Sequence, residues 1–273
     1  MAGAGSPLPG FGLTLGFTVF YLTIIVLLPI VALWLKALRL PWAELWALAT
    51  NVRALASYKL SLGASFCAAL LNAAFGSLLA WVLVRYRFPG RRLLDGLIDF
   101  PFALPTAVAG LTLANLFSVH GWLGRYLTPL GFHGAFTRTG VVIALTFVGL
   151  PFAVRTLQPV LEDFDVEVEE AAASLGAGRL RTFLGVIAPT LLPTVLSGFG
   201  LAFARALGEY GSIVFISGNL PDTEIAPSLI VMRLEQYDYA GAMSVALVLL
   251  LFSFAMLLLL NWLQGWASKF QRA

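Results

Sequence analysis

The sequence predicts a bundle of membrane-spanning α-helices, and three observations carry that prediction. Of 273 residues, 59% are hydrophobic and 11% charged, with a mean hydropathy of +0.89. A water-soluble domain carries roughly 25% charged residues to solvate its outside. The apolar runs reach about twenty residues and more, without the strict alternation of a barrel strand. In hydrocarbon every backbone N–H and C=O must be satisfied inside the protein, which leaves helices once the barrel is set aside. The expected architecture is all-α, a single transmembrane domain over residues 1–273.

Six spans are predicted, over about 12–35, 60–84, 97–118, 139–158, 190–216 and 241–263. At 1.5 Å per residue each reaches roughly 30 Å, the thickness of the hydrocarbon core. The first run has no Lys or Arg before it, Lys36 being the first basic residue, and it is longer than a signal-peptide core; it reads as a span rather than a cleaved leader. Pro41 to Leu48, with Trp42 and Trp46, reads as an interfacial helix. Between spans two and three stands a basic turn of Arg85, Arg87, Arg91 and Arg92. Placing it in the cytoplasm also puts Arg155, Arg179, Arg181, Lys269 and Arg272 inside, nine basic residues against seven outside, so both termini are expected to be cytoplasmic.

Span three opens with Asp99-Phe100-Pro101-Phe102-Ala103-Leu104-Pro105-Thr106, where two prolines four apart predict a late or broken helix start. Asn72 and Asn115 are candidates for interhelical hydrogen bonds. In span five, Arg205 and Glu209 are spaced i, i+4 and are expected on one helix face. A charge near the bilayer centre costs roughly 2.5–3.5 kcal/mol on insertion scales, so such residues face the bundle interior or water and usually pair. The pair either fixes packing or offers positive charge to a passing dianion. Gly208, Gly211 and Gly218 allow close approach or local unwinding there.

The segment 159–189 is the one long internal stretch rich in acids: Glu162, Asp163, Asp165, Glu167, Glu169 and Glu170. It predicts two short helices with a break. Asp165 suits the N-cap, and the glutamates suit the positive end of the helix dipole. Ala171, Ala172 and Ala173 carry the helix with little bulk, so another surface can approach closely. Gly176 suits the left-handed position that ends the helix. A second helix is expected from about Arg179 to Pro189.

Several chemistries are disfavoured. Cys67 is the only cysteine, which excludes a disulfide framework or a cysteine metal cluster. His120 and His133 stand in predicted loops without a ligand-spaced partner, and no catalytic constellation appears. A net charge of +3 gives no case for a nucleic-acid partner. A phosphate loop of the Gly-x4-Gly-Lys-[Ser/Thr] type is absent, so no ATP site of that kind is expected in this chain.

The run Glu170-Ala171-Ala172, then Gly176, then Val186-Ile187-Ala188-Pro189 resembles the EAA loop of bacterial ABC importer permeases, departing at Ala188, where the family more often has Leu. Residues Ala204 to Pro221, the Arg85–Arg92 turn, the Phe-Pro-Phe-Ala-Leu-Pro-Thr-Ala run and Leu234 to Ala242 are similar to the sulfate/thiosulfate permeases of the CysT type. The resemblance covers about 60–263; molybdate and tungstate permeases share the EAA loop and a related Leu-Gly-Glu segment. It implies a type I ABC importer permease of the bacterial inner membrane, a transport subunit rather than an enzyme. ATP and Mg would be held by a dimer of ATP-binding subunits. The other implied partners are a second homologous permease, a periplasmic sulfate-binding protein and membrane lipid. Glu169, Glu170, Ala171, Ala172, Ser174 and Gly176 would form the coupling helix that docks on the ATPase. Arg205, Glu209, Tyr210, Asn115, Pro101 and Pro105 are the candidates for the translocation path or its gate. An ion-gradient-driven transporter is the rival from another class; it needs an intramembrane carboxylate relay, for which Glu209, with Asp99 near an edge, is the sole supply.

Overall fold

The computed structural model describes residues 10–270. Helices α1 (Phe11–Ala37), α3 (Val52–Arg85), α8 (Arg138–Glu162) and α10 (Arg179–Leu207) are long and apolar enough to cross a membrane, as is the last, α13 (Tyr239–Phe270). Between them lie α2 (Trp42–Ala49), α4 (Arg91–Ile98), α5 (Phe100–Ala103), α6 (Thr106–Phe117), α7 (Gly124–Leu127), α9 (Val166–Ser174), α11 (Gly211–Ser217) and α12 (Ala226–Glu235). No strand occurs among the described residues. Arg272, counted above with the cytoplasmic basic residues, lies outside them.

Helix α8 is the hub, packed mainly against α3 and α10. Its buried face runs from Val141 through Ala144, Leu145, Val148, Val154 and Leu157 to Leu161. Small residues let the neighbours approach: a Cβ on Gly76 of α3 would stand 2.8 Å from the Ala153 Cβ, closer than real Cβ atoms come. Asn72 sits against Gly149 at this crossing, 1% exposed, with neither side-chain polar atom bonded; the interhelical bond expected of it is not formed. Asn115 is exposed and likewise makes no side-chain hydrogen bond to another helix.

Four boundaries differ from expectation. Helix α3 begins eight residues early, because the Asn51 side chain accepts from the Ala54 N–H at 2.7 Å and starts the helix outside the apolar run. Span three, by contrast, is broken as its two prolines predict. Leu104 and Pro105 are extended between α5 and α6, and α6, at 12 residues, rises only about 18 Å. Span five starts at Arg179 rather than 190 and stops at Leu207 rather than 216. Pro189 does not end the second helix of the acidic segment. The ring of a proline clashes with the carbonyl four residues back, and here that residue, Gly185, lies in a wider π turn (Phe183–Ile187) that lets the helix run on. The same device precedes Pro29, with a π turn over Thr23–Leu27.

Candidate functional site

Two places concentrate the residues singled out in the sequence. The first is α9. The Asp165 side chain accepts from the Glu167 N–H at 3.0 Å, closing the N-terminal end as expected. Gly176, at φ +83°, turns the chain after the helix, a conformation that costs other residues strain. Gly178 then leads into α10. Glu170, Ala171, Ser174 and Gly176 are exposed and Ala172 is half-buried. Leu175, at 89% exposure, adds a large apolar group to the same free end.

Glu169 behaves differently from the residues beside it. It accepts from Arg85 Nη2 at 2.6 Å, tying α9 to the C-terminal end of α3. The Arg85 guanidinium lies 5.4 Å from the Trp81 ring centroid and 5.7 Å from that of Phe164. One arginine of the expected basic turn is thus a packed strut rather than a solvated charge, its side chain 17% exposed.

A neighbouring node was missed by sequence reasoning. Arg155 of α8 donates to both Asp99 carboxylate oxygens at 2.8 and 2.7 Å, and to Asp95 Oδ1 at 2.6 Å. It holds α4 and the start of α5 against the hub. The i, i+4 spacing of Asp95 and Asp99 was the available signal, but their partner stands 56 residues beyond Asp99.

The second place is the interruption after α10. Contrary to expectation, Glu209 is not on the helix of Arg205 but just beyond its end, in a helix break over residues 208–210. Its carboxylate, 2% exposed, pairs with Arg205 through Oε2. Through Oε1 it accepts from the Ser212 N–H at 2.9 Å and from the Ser212 hydroxyl at 3.0 Å. Glu209 therefore caps α11 while holding the arginine. Tyr210 is half-buried within the break, and the Arg205 side chain keeps 33% of its surface exposed. Gly110 of α6 lies against the Ser212 backbone so closely that a Cβ there would overlap it. Pro101 is buried in α5, and Pro105, exposed, starts α6. The break before α6 and the break before α11 thus belong to two helices packed on each other. Among the described residues no group of His, Cys, Asp and Glu is placed to hold a metal.

Residues 72–272 match the model of the binding-protein-dependent transport system inner membrane component family. The chain belongs to that family. It is 55% identical over 255 residues to the sulfate transport system permease protein CysT of Synechococcus elongatus, covering 93% of this chain and 92% of that one. To the protein of the same name from Escherichia coli it is 46% identical over 266 residues, 97% and 95% of the two chains. Among solved structures it resembles a bacterial alginate ABC transporter in complex with alginate pentasaccharide-bound periplasmic protein, at TM-score 0.75 and 15% identity over 91% of each chain. The inward-facing MetNI methionine ABC transporter gives TM-score 0.59 at 15% identity, covering 84% of this chain and 99% of that one. The described residues have the all-helical fold of an ABC importer permease, and the chain is a multi-pass membrane protein. Among the described residues five helices are long and apolar enough to cross, and α6 is a shorter apolar helix.

Proposed function

We propose that this permease forms part of an ATP-driven importer for sulfate, with thiosulfate as a second substrate. The observation that carries the substrate is the 46–55% identity to sulfate permeases over 93–97% of the chain. A helix that is largely free on one side and fastened on the other supports the coupling. Glu170, Ala171, Ser174 and Gly176 form its free surface, and Glu169 fastens it to α3. In this reading α9 docks on a separate ATP-hydrolysing subunit in the cytoplasm, with both termini on that side.

The mechanics follow from the connections. A displacement of α9 reaches α3 through Glu169 and Arg85, and reaches α10 through the short turn 175–178. Helix α10 ends at the Arg205–Glu209 node, so movement at its cytoplasmic end is delivered to the interruption before α11. A second, homologous permease and a sulfate-binding protein outside the membrane complete the assembly, and the path opens alternately to the two sides.

Uptake of labelled sulfate by the reconstituted complex tests the reading. Uptake should require ATP, persist without a membrane potential, and be competed more strongly by thiosulfate than by molybdate or tungstate. Uptake that survives ATP depletion while the potential is intact would place the chain with ion-driven transporters instead. Stronger competition by molybdate would reassign the substrate.

A further inference from the structure

We propose that a groove at the end of the permease opposite α9 is a binding site for a small divalent oxyanion, with Lys59 as its chief charged ligand. The proposal deepens the transport reading and rests on it for the identity of the anion. Arg85 meets Glu169, so the C-terminal end of α3 marks the α9 side; residues 52–67 form the other half of the helix, with Lys59 towards its far end and Cys67 near its middle. There a groove of about 330 Å3 is lined by Lys59, Gly63 and Cys67 of α3, Arg138 of α8, and Asp222 and Glu224 of the connection before α12. Lys59, Gly63 and Cys67 are each four residues apart and form one stripe, about 12 Å long at 1.5 Å per residue.

The charges of the groove sort into committed and free. Glu224, its side chain 1% exposed, is engaged by Arg53, whose Nε and Nη2 donate to its two oxygens at 2.7 and 2.9 Å. Arg138 donates through Nε to the Asp222 carbonyl at 3.0 Å and stands 3.8 Å from the Asp222 carboxylate. Those two side chains are 70% and 93% exposed, so the pair is weak and Arg138 is open to a further acceptor. Lys59 is exposed and makes no ion pair or hydrogen bond with the described residues. The lining itself holds two cations and two carboxylates, but Arg53, from outside it, neutralises the buried Glu224, so the unpaired charge left in the groove is the Lys59 ammonium. Its compact ammonium, with three rotatable donors on a flexible stem, suits a tetrahedral anion that must be released again. Gly63 leaves the space below it open. A lysine that merely reaches for the membrane interface would need no groove beneath it.

Cys67, the only cysteine of the chain and exposed in the groove, is a built-in reporter. In spheroplasts carrying the complete importer, Cys67 is reacted from outside with an anionic and a cationic methanethiosulfonate. Labelling is read as the mass shift of this subunit, each rate normalised to that of a small free thiol. In a low-salt, sucrose-supported medium, one net positive charge about 12 Å away in water-like surroundings favours the anionic reagent by about threefold. Lys59→Gln should bring the ratio near one, and Lys59→Arg should keep it. Sulfate should slow the labelling in the parent protein and not in Lys59→Gln. Absence of labelling from outside, a ratio indifferent to Lys59→Gln, or protection by no oxyanion would each overturn the site. Protection by molybdate or thiosulfate but not by sulfate would uphold the groove and overturn the substrate assignment.

Discussion

Glu169 and Glu170 are adjacent and do opposite things. Glu169 is drawn to Arg85, whereas Glu170 stays at the free surface, its backbone carbonyl accepting from the Ser174 hydroxyl at 2.9 Å. A hydrogen bond to a charged group contributes about 1.5–3 kcal/mol. Local opening of α9 should therefore become about ten- to a hundredfold more frequent in Glu169→Ala, read as faster amide hydrogen exchange over 166–174. Unchanged exchange would mean that the Arg85 contact does not hold the helix. At Gly176 the positive φ sets the expectation. Gly176→Ala should destabilise the end of α9 by about 1–2 kcal/mol of left-handed strain, read as a lower thermal midpoint of the purified complex, and Gly176→Asn should fall between the two. Local chemistry of this kind was legible in the sequence: the Asp165 cap, the alanine run and the closing glycine all act within a few residues. The partners of Arg85, Arg155 and Arg53 were not, because they stand 84, 56 to 60 and 171 residues away.

At the scale of elements, the interruptions matter more than the spans. The break at Leu104 and Pro105 was readable from two prolines. The break at 208–210 was not, because Gly208 and Gly211 permit unwinding without requiring it. What fixes it is Glu209, engaged by Arg205 on one side and Ser212 on the other. The early start of α3 was hidden for a related reason. Arg53, Ser57 and Lys59 look like a polar loop, yet the Asn51 cap starts the helix and Arg53 finds Glu224. The packing of α6 on α11 depends on the missing side chain of Gly110. Gly110→Ala should push these helices apart, destabilising the permease by about 1–3 kcal/mol through overpacking. A thermal midpoint in detergent equal to that of the parent would show that the two helices adjust freely.

For the whole molecule, the arrangement separates a buried hub from exposed apolar surfaces. Helix α8 is enclosed by α3 and α10, whereas none of the most apolar stretch of α1 is buried. Only its last turn, at Trp34 and Ala37, packs into a cluster with Leu45 and Leu247. Fold class was legible from hydropathy alone because the bilayer leaves so few backbone solutions. The substrate was not, since no local pattern encodes sulfate, and it rests on likeness to named relatives. Coupled transport depends on α9 meeting an ATP-hydrolysing protein on the cytoplasmic side. The direct measurement is site-specific cross-linking of Ser174→Cys in a Cys67→Ser background, within the assembled complex. One adduct, to the ATPase subunit, is expected, together with thiol labelling that requires access from the cytoplasm. Labelling of position 174 from the outer face, or a complex that transports without any such adduct, would contradict it.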